Sequence, residues 1–210
     1  FRAHFDGLAE EVTRAVGPGS ADGTWRRSGS PNSACVLDIG CNDGTLMAAF
    51  QRRGWLVRGV EPDAALAGEA SAACGGNVWS VFWSAGAAER LFAASIFDVI
   101  TACNVFAHCS DLHDFLRGVT KALKPGGLFV VECYSLLSMF KAGDLSSLYH
   151  EHVFTHHLGS LRGLFLKHGL TILRCDEIPT HGGSLRVWAS TEGNPDESVA
   201  KQLARERQAE

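Results

Sequence analysis

Apolar positions along the chain follow two rhythms, a helical one and a strand-like one, in regular alternation. Phe5, Leu8, Val12 and Val16 recur at helical spacing and predict an amphipathic helix at the N-terminus. Gly17 to Ala34 is rich in Gly, Ser, Pro and Asn and predicts a loop. Cys35-Val36-Leu37-Asp38-Ile39-Gly40 then reads as a short buried strand, since near-continuous apolar character is what a doubly covered parallel strand requires. The alternation continues with a helix from Thr45 to about Arg53 (Leu46, Met47 and Phe50 inward), a strand over Leu56 to Val60 and an Ala-rich helix over Ala64 to Ala73. A strand over Asn77 to Phe82, a helix over Ala85 to Phe92 and a strand over Phe97 to Ala102 follow. Asp111 to Leu123 is a helix with Leu112, Phe115, Leu116, Val119 and Leu123 on one face. Lys124-Pro125-Gly126-Gly127 stops it, because proline cannot continue the hydrogen-bond ladder and glycine accepts positive φ. Leu128 to Cys133 is a fifth strand, and Leu161, Leu164 and Phe165 mark a further helix. Leu170 to Cys175 and Ser184 to Ala189 flank a turn holding Pro179, His181, Gly182 and Gly183, which predicts a hairpin. A charged helix runs from beyond Gly193 to Glu210.

A βα alternation of this kind predicts an α/β fold, a mostly parallel seven-stranded sheet with a terminal antiparallel hairpin. The expected division is one domain over 1–191, of which 1–34 is the N-terminal helix and loop, and a charged helical tail over 192–210 that starts a further domain. A length of 210 residues, 46% hydrophobic, suits one such domain. The net charge of −4 and the lack of a dense Lys/Arg block argue against a nucleic-acid partner. No run of 18 apolar residues suggests a membrane span, and the charged opening residues do not resemble a secretory leader. Seven cysteines, an odd number without a CxxC pair, read as reduced core thiols and place the protein in the cytoplasm. A chain that opens on Phe1 is expected to be a piece of a longer protein.

Candidate chemistry begins at the end of the first strand. Asp38-Ile39-Gly40-Cys41-Asn42-Asp43-Gly44-Thr45 places glycines where the backbone must turn tightly before a helix. The spacing is Gly-x-x-x-Gly, so the dinucleotide fingerprint is absent, and Asp43 would oppose a pyrophosphate. A cationic sulfonium cofactor with a free amino group suits these acids better, with Asp38 facing its amino end. Glu61, ending the second strand in Gly59-Val60-Glu61-Pro62, suits a pair of ribose hydroxyls, and Asn104 follows the fourth strand into the same cleft. Asp38 as a turn cap and Glu61 as a solvated strand end remain open on these residues alone.

Histidines crowd the same edge of the sheet. His108, His150, His152, His156 and His157 lie at or beyond the carboxyl ends of strands four and five, where active sites of open α/β sheets sit. Tyr149-His150-Glu151-His152 is the densest group. It does not form a His-Glu-x-x-His zinc helix, because Phe154 stands in the last position, and no other ligand spacing assigns a metal. His113, His156, His157 and His168 read as surface or hydrogen-bonded loop residues.

Val-Leu-Asp-Ile-Gly-Cys-Asn-Asp-Gly-Thr-Leu followed by Gly-Val-Glu-Pro resembles the class I S-adenosylmethionine-dependent methyltransferases, over about Cys35 to Ala189. The resemblance implies a Rossmann-like fold, S-adenosylmethionine as cofactor, and Asp38, Gly40, Asn42, Asp43, Gly44, Glu61 and Asn104 as its binding residues. Asn104-Val105-Phe106-Ala107-His108, Tyr149-His150-Glu151-His152 and His181-Gly182-Gly183-Ser184-Leu185-Arg186-Val187 look like the sugar C-methyltransferases, which act beside a ketone on nucleotide-linked keto-sugars. That likeness implies His152 as the base that removes the carbon-bound proton, Glu151 as its orienting partner or a sugar contact, and Tyr149 and His108 as donors to the keto or enolate oxygen. The family's cysteine-rich zinc module is missing, its C-terminal domain is absent or only begun after Gly193, and Thr155 stands where relatives carry Tyr. O- or N-methylation of another small molecule, and a non-catalytic cofactor-binding module, are the alternatives.

Overall fold

Side chains of the central strands alternate between two apolar layers, and this alternation sets the architecture. Val36, Val99, Leu128 and Val130 face one layer with Trp188, while Leu37, Ile100, Phe129 and Val131 face the other. The computed structural model describes residues 2–16, 34–75, 77–92, 94–143 and 153–209. The loop expected over Gly17 to Ala34 lies outside these residues except for Ala34, and so do Tyr149, His150, Glu151 and His152.

The strands are β1 (Cys35–Ile39), β2 (Leu56–Val60), β3 (Val78–Trp79), β4 (Phe97–Cys103), β5 (Leu123–Tyr134), β6 (Thr171–Ile178) and β7 (Ser184–Ser190). They form one seven-stranded sheet in the order β3-β2-β1-β4-β5-β7-β6. All neighbours are parallel except β7, which runs antiparallel to both β5 and β6. This is the Rossmann-like methyltransferase architecture with the expected terminal hairpin.

The helices are α1 (Arg2–Val16), α2 (Thr45–Gln51), α3 (Ala64–Cys74), α4 (Ala85–Leu91), α5 (Leu112–Ala122), α6 (Leu136–Ala142), α7 (Leu158–Leu166) and α8 (Glu197–Arg207). Leu8 and Val12 of α1, Met47 and Phe50 of α2 and Ala70 of α3 fill the first layer. Phe115 and Leu116 of α5, Leu161 and Phe165 of α7 and Val199 of α8 fill the second. No helix among the described residues is long and apolar enough to cross a membrane. All seven cysteines carry free thiols.

Three local expectations differ from the structure. β3 is two residues long rather than six, because it pairs only through Gly59–Val78 and Val60–Trp79 before the chain leaves the sheet. β5 begins at Leu123 rather than Leu128: Leu123 pairs with Phe97, the register then shifts, and Lys124 is pinned by Asp98 at 2.9 Å. α6 was not foreseen; Ser135 caps it by accepting the Ser138 N–H at 3.2 Å, and Gly143 ends it with φ 62°.

Two charged clusters bind distant elements together. Glu132, 1% exposed, accepts the Arg186 Nε–H at 2.7 Å and lies 2.7 Å from His4 Nε2, and Arg186 also reaches Glu11 at 3.2 Å. α1 is thereby tied to β5 and β7. At the other end, Glu206 of α8 accepts the Leu158 and Gly159 N–H groups at 2.6 and 3.0 Å. A carboxylate at a helix N-terminus satisfies donors with no intrahelical partner and faces the positive end of the dipole. The charged 192–210 segment thus places α8 in contact with the sheet layer, with Val199, Gln202 and Glu206 buried.

Replacing Glu206 with Ala should therefore cost about 2 kcal/mol of stability, seen as a lower urea midpoint at unchanged slope. Glu197→Ala, at the exposed start of the same helix, should shift the midpoint little.

Candidate active site

β1 lies between β2 and β4, where the strand order reverses, and the carboxyl ends of these strands open into a cavity of about 810 Å³. The loop after β1 forms its floor. Gly40 has φ +70°, and a Cβ there would stand 2.5 Å from Val105 Cγ2, so only glycine lets the loop close under Val105. The N–H groups of Gly40 and Cys41 both reach the Val60 carbonyl, at 2.7 and 3.2 Å. Asp43 Oδ1 then accepts the Thr45 N–H at 3.0 Å and its hydroxyl at 2.7 Å, closing the first turn of α2. Gly44 faces the other way: a Cβ would meet Ala70 at 3.0 Å, and its contribution is the close approach of α2 to α3.

Asp38 ends β1 in the cavity wall, 3% exposed. Burial pushes its carboxyl up to about 7; a 2.7 Å hydrogen bond from the Thr101 hydroxyl opposes the shift, and the Glu61 and Glu132 carboxylates add to it. Glu61, 7% exposed, accepts the Asn42 N–H on Oε2 and the Asp63 N–H on Oε1, each at 3.0 Å. A carboxylate has about four lone-pair sites, so two remain for a ligand's hydroxyls. Asn42 sits at φ 50° to deliver its N–H to Glu61.

Across the cavity stand Asn104, His108 and His181. Asn104 has φ 59°, and its Oδ1 is buried without a hydrogen-bond partner among the described residues. Its Nδ2 lies 3.5 Å from His181 Nε2. His108 closes the single 3-10 turn Phe106–His108 after β4, which turns its side chain to the cavity rim. The expected residues Asp38, Gly40, Asn42, Asp43, Glu61, Asn104 and His108 therefore line one cavity, and Gly44 stands behind its floor.

The other histidines have local explanations. His113 and His168 meet at 2.8 Å on the surface, and His157 meets Glu206 at 3.3 Å. His156 is buried beside Phe106, and that burial holds its imidazole neutral, down to about 4.

The chemistry of the wall discriminates between cofactors. Five carboxylates line it, Asp38, Asp43, Glu61, Asp111 and Asp114, and no Lys or Arg does among the described residues. A pyrophosphate would meet uncompensated like charge here. A group with a cationic amino end and paired hydroxyls fits, because Asp38 gains a counter-charge for its buried carboxylate and Glu61 keeps free lone pairs. The sequence did not reveal the apolar remainder of the wall. Phe5 looked like part of the helical core stripe, Val81 and Phe82 like strand, and His181 like a turn residue; all line the cavity together with Trp83, with Phe82 81% exposed at its rim.

Comparison with known proteins agrees with this geometry. A family model described as a methyltransferase domain matches residues 5–174. The C-methyltransferase NovU of Streptomyces niveus is 33% identical over 184 residues, 86% of this chain and 44% of that protein. A ubiquinone biosynthesis O-methyltransferase of Bradyrhizobium sp. is 35% identical over 96 residues, 46% of this chain and 38% of that protein. The chain thus spans less than half the length of these curated relatives. Among solved structures, the magnesium protoporphyrin IX methyltransferase of Synechocystis with bound SAH superposes with a TM-score of 0.64 at 16% identity, covering 91% of this chain and 83% of that one. The YcgJ protein of Bacillus subtilis superposes with a TM-score of 0.65 at 17% identity, covering 91% and 100%. The chain belongs to the methyltransferase domain family and is a class I S-adenosylmethionine-dependent methyltransferase domain.

Proposed function

We propose that this domain methylates a carbon next to a ketone on a nucleotide-linked keto-sugar, with S-adenosylmethionine as donor. The observation that carries the donor half is the pairing of buried Asp38 with Glu61 in a wall free of Lys and Arg among the described residues. Asp38 holds the donor's amino end, Glu61 accepts its ribose hydroxyls, and Gly40, Asn42, Asp43 and Asn104 shape the remaining contacts. The bound donor supplies an electrophilic methyl group on a sulfonium. The greatly longer relatives support reading 1–191 as one domain of a larger protein, with 192–210 leading onward. The free thiols support a cytoplasmic setting.

The acceptor half is supported by the match to the C-methyltransferase NovU and by the histidine-bearing segments. Carbon methylation needs a base to remove a carbon-bound proton, and an imidazole titrates in the right range. His152 is that base, Glu151 orients it, and Tyr149 and His108 donate to the oxygen that becomes negative. The O-methyltransferase match supports a second reading, O-methylation of another small molecule, but it spans 46% of the chain against 86% for the C-methyltransferase.

Donor binding should be linked to a proton. The Asp38 carboxyl sits at about 7 without a cation beside it. A cationic amino group favours the ionised form, so affinity for S-adenosylhomocysteine should be flat just above pH 7 and fall as pH drops below it, with protons released on binding in calorimetry near and below pH 7. The same carboxyl costs stability as pH rises from about 4 to about 7, because the unfolded chain gives up its proton first. Asp38→Asn should therefore raise the Tm at pH 8, abolish the pH dependence, and weaken S-adenosylhomocysteine roughly 10- to 100-fold. Unaltered affinity in that variant would remove Asp38 from the amino-end role.

His152→Ala should abolish methyl transfer to nucleotide keto-sugars, assayed by mass spectrometry, while S-adenosylhomocysteine affinity stays nearly intact. Unchanged turnover would exclude His152 as the base.

A further inference from the structure

Backbone strain in this chain gathers at the cavity. Asn42, Ser95, Asn104 and His181 are the non-glycine residues with positive φ among the described residues, and Asn42, Asn104 and His181 all line the cavity. Asparagine tolerates the left-handed region, whereas a bulkier side chain is disfavoured there and persists where the surrounding structure enforces it. His181 is the most informative case. It sits at φ 53° in the turn between β6 and β7, directly before Gly182 and Gly183, which carry no such cost. A glycine would suit position 181 better on backbone grounds, yet the chain places an imidazole there.

The surroundings aim that imidazole at the cavity. Its ring packs against Tyr134 at 5.2 Å between centroids, and Nε2 stands 3.5 Å from Asn104 Nδ2. In strand order, β7 is four positions from β2, whose end carries Glu61. At about 4.8 Å per strand, His181 is mounted some 19 Å across the sheet from the ribose carboxylate. Glu61 and His181 both line the one cavity, so with the donor's ribose at Glu61 the His181 end is left for the acceptor.

We infer that His181 contacts the methyl acceptor, donating a hydrogen bond from its imidazole to the acceptor oxygen next to the carbon that is methylated. Asn104, assigned above to the donor, lies beside His181, where the two ligands would meet. The acceptor class is an oxygen-bearing carbonyl compound whose oxygen gains negative charge as the carbon-bound proton leaves, where a fixed donor helps most. The inference rests on the donor assignment above, which puts the donor's ribose at Glu61.

Two variants test it without unfolding the chain, because His181→Gly and His181→Asn both suit positive φ and should keep or raise the Tm. S-adenosylhomocysteine Kd is measured by calorimetry, and kcat/KM for a nucleoside-diphosphate 4-keto-sugar is measured at saturating donor. The expected result is an unchanged Kd in both variants and a kcat/KM for the acceptor roughly 100-fold lower in His181→Gly. His181→Asn should fall less, since its amide can still donate. Unchanged kcat/KM in the glycine variant overturns the inference, and so does a parallel loss of donor affinity, which would mark a donor-binding or purely structural role. Wild-type protein that binds S-adenosylhomocysteine but methylates no such keto-sugar overturns the acceptor assignment and this role with it. Wild-type protein that does not bind S-adenosylhomocysteine sinks the donor assignment instead.

Discussion

The burial of one carboxyl group at the end of β1 constrains everything around it. Asp38 must follow a strand covered on both faces, so it cannot escape to water, and Thr101 on the neighbouring strand is its direct hydrogen-bond partner. A buried carboxylate without a counter-charge is held partly protonated. On the proposed reading, a positively charged ligand relieves this destabilising group. The Gly40 turn brings the loop close under Val105, and beyond the short β3 Val81 to Trp83 leave the sheet to line the same cavity.

A second buried carboxylate has the opposite character. Glu132 meets Arg186 and His4, so its charge is matched within the protein. Removing one partner of such a pair is costly, which makes it a rigid clamp between α1 and the sheet. Phe5, adjacent to His4, is brought to the cavity wall by that clamp. The two acids thus divide the work: one is answered by the chain itself and fixes a wall, the other is left to be answered from outside.

Much of this was legible in the sequence, for physical reasons that differ by element. β2 was read to the residue because Val57 and Val60 are apolar and buried and the run is bounded by Gly54 and Pro62. α5 was equally plain, with its apolar face and Asp111 cap. The loop from Asp38 to Thr45 was readable because glycine spacing and acidic residues are local signals. β3 was over-read because its Val and Trp residues favour strand, while the pairing that decides its length depends on β2. The early start of β5 was hidden by Pro125 and the two glycines, and only the Leu123 pairing with Phe97 overrides them. His181 stood in a turn and at the head of a family-like segment, but it was given no site role, because turn composition says nothing about which cavity a turn will overhang.

The position of β7 bears on how the domain assembles. It is the last strand in the chain yet lies between β5 and β6, so β6 has no sheet partner until β7 inserts. The β1, β2 and β4 ends that carry the acidic pocket depend on pairings among strands that leave the ribosome before β5 to β7. During synthesis the pocket's acidic half therefore takes shape first, and the opposite wall is completed only when the final strand slots home.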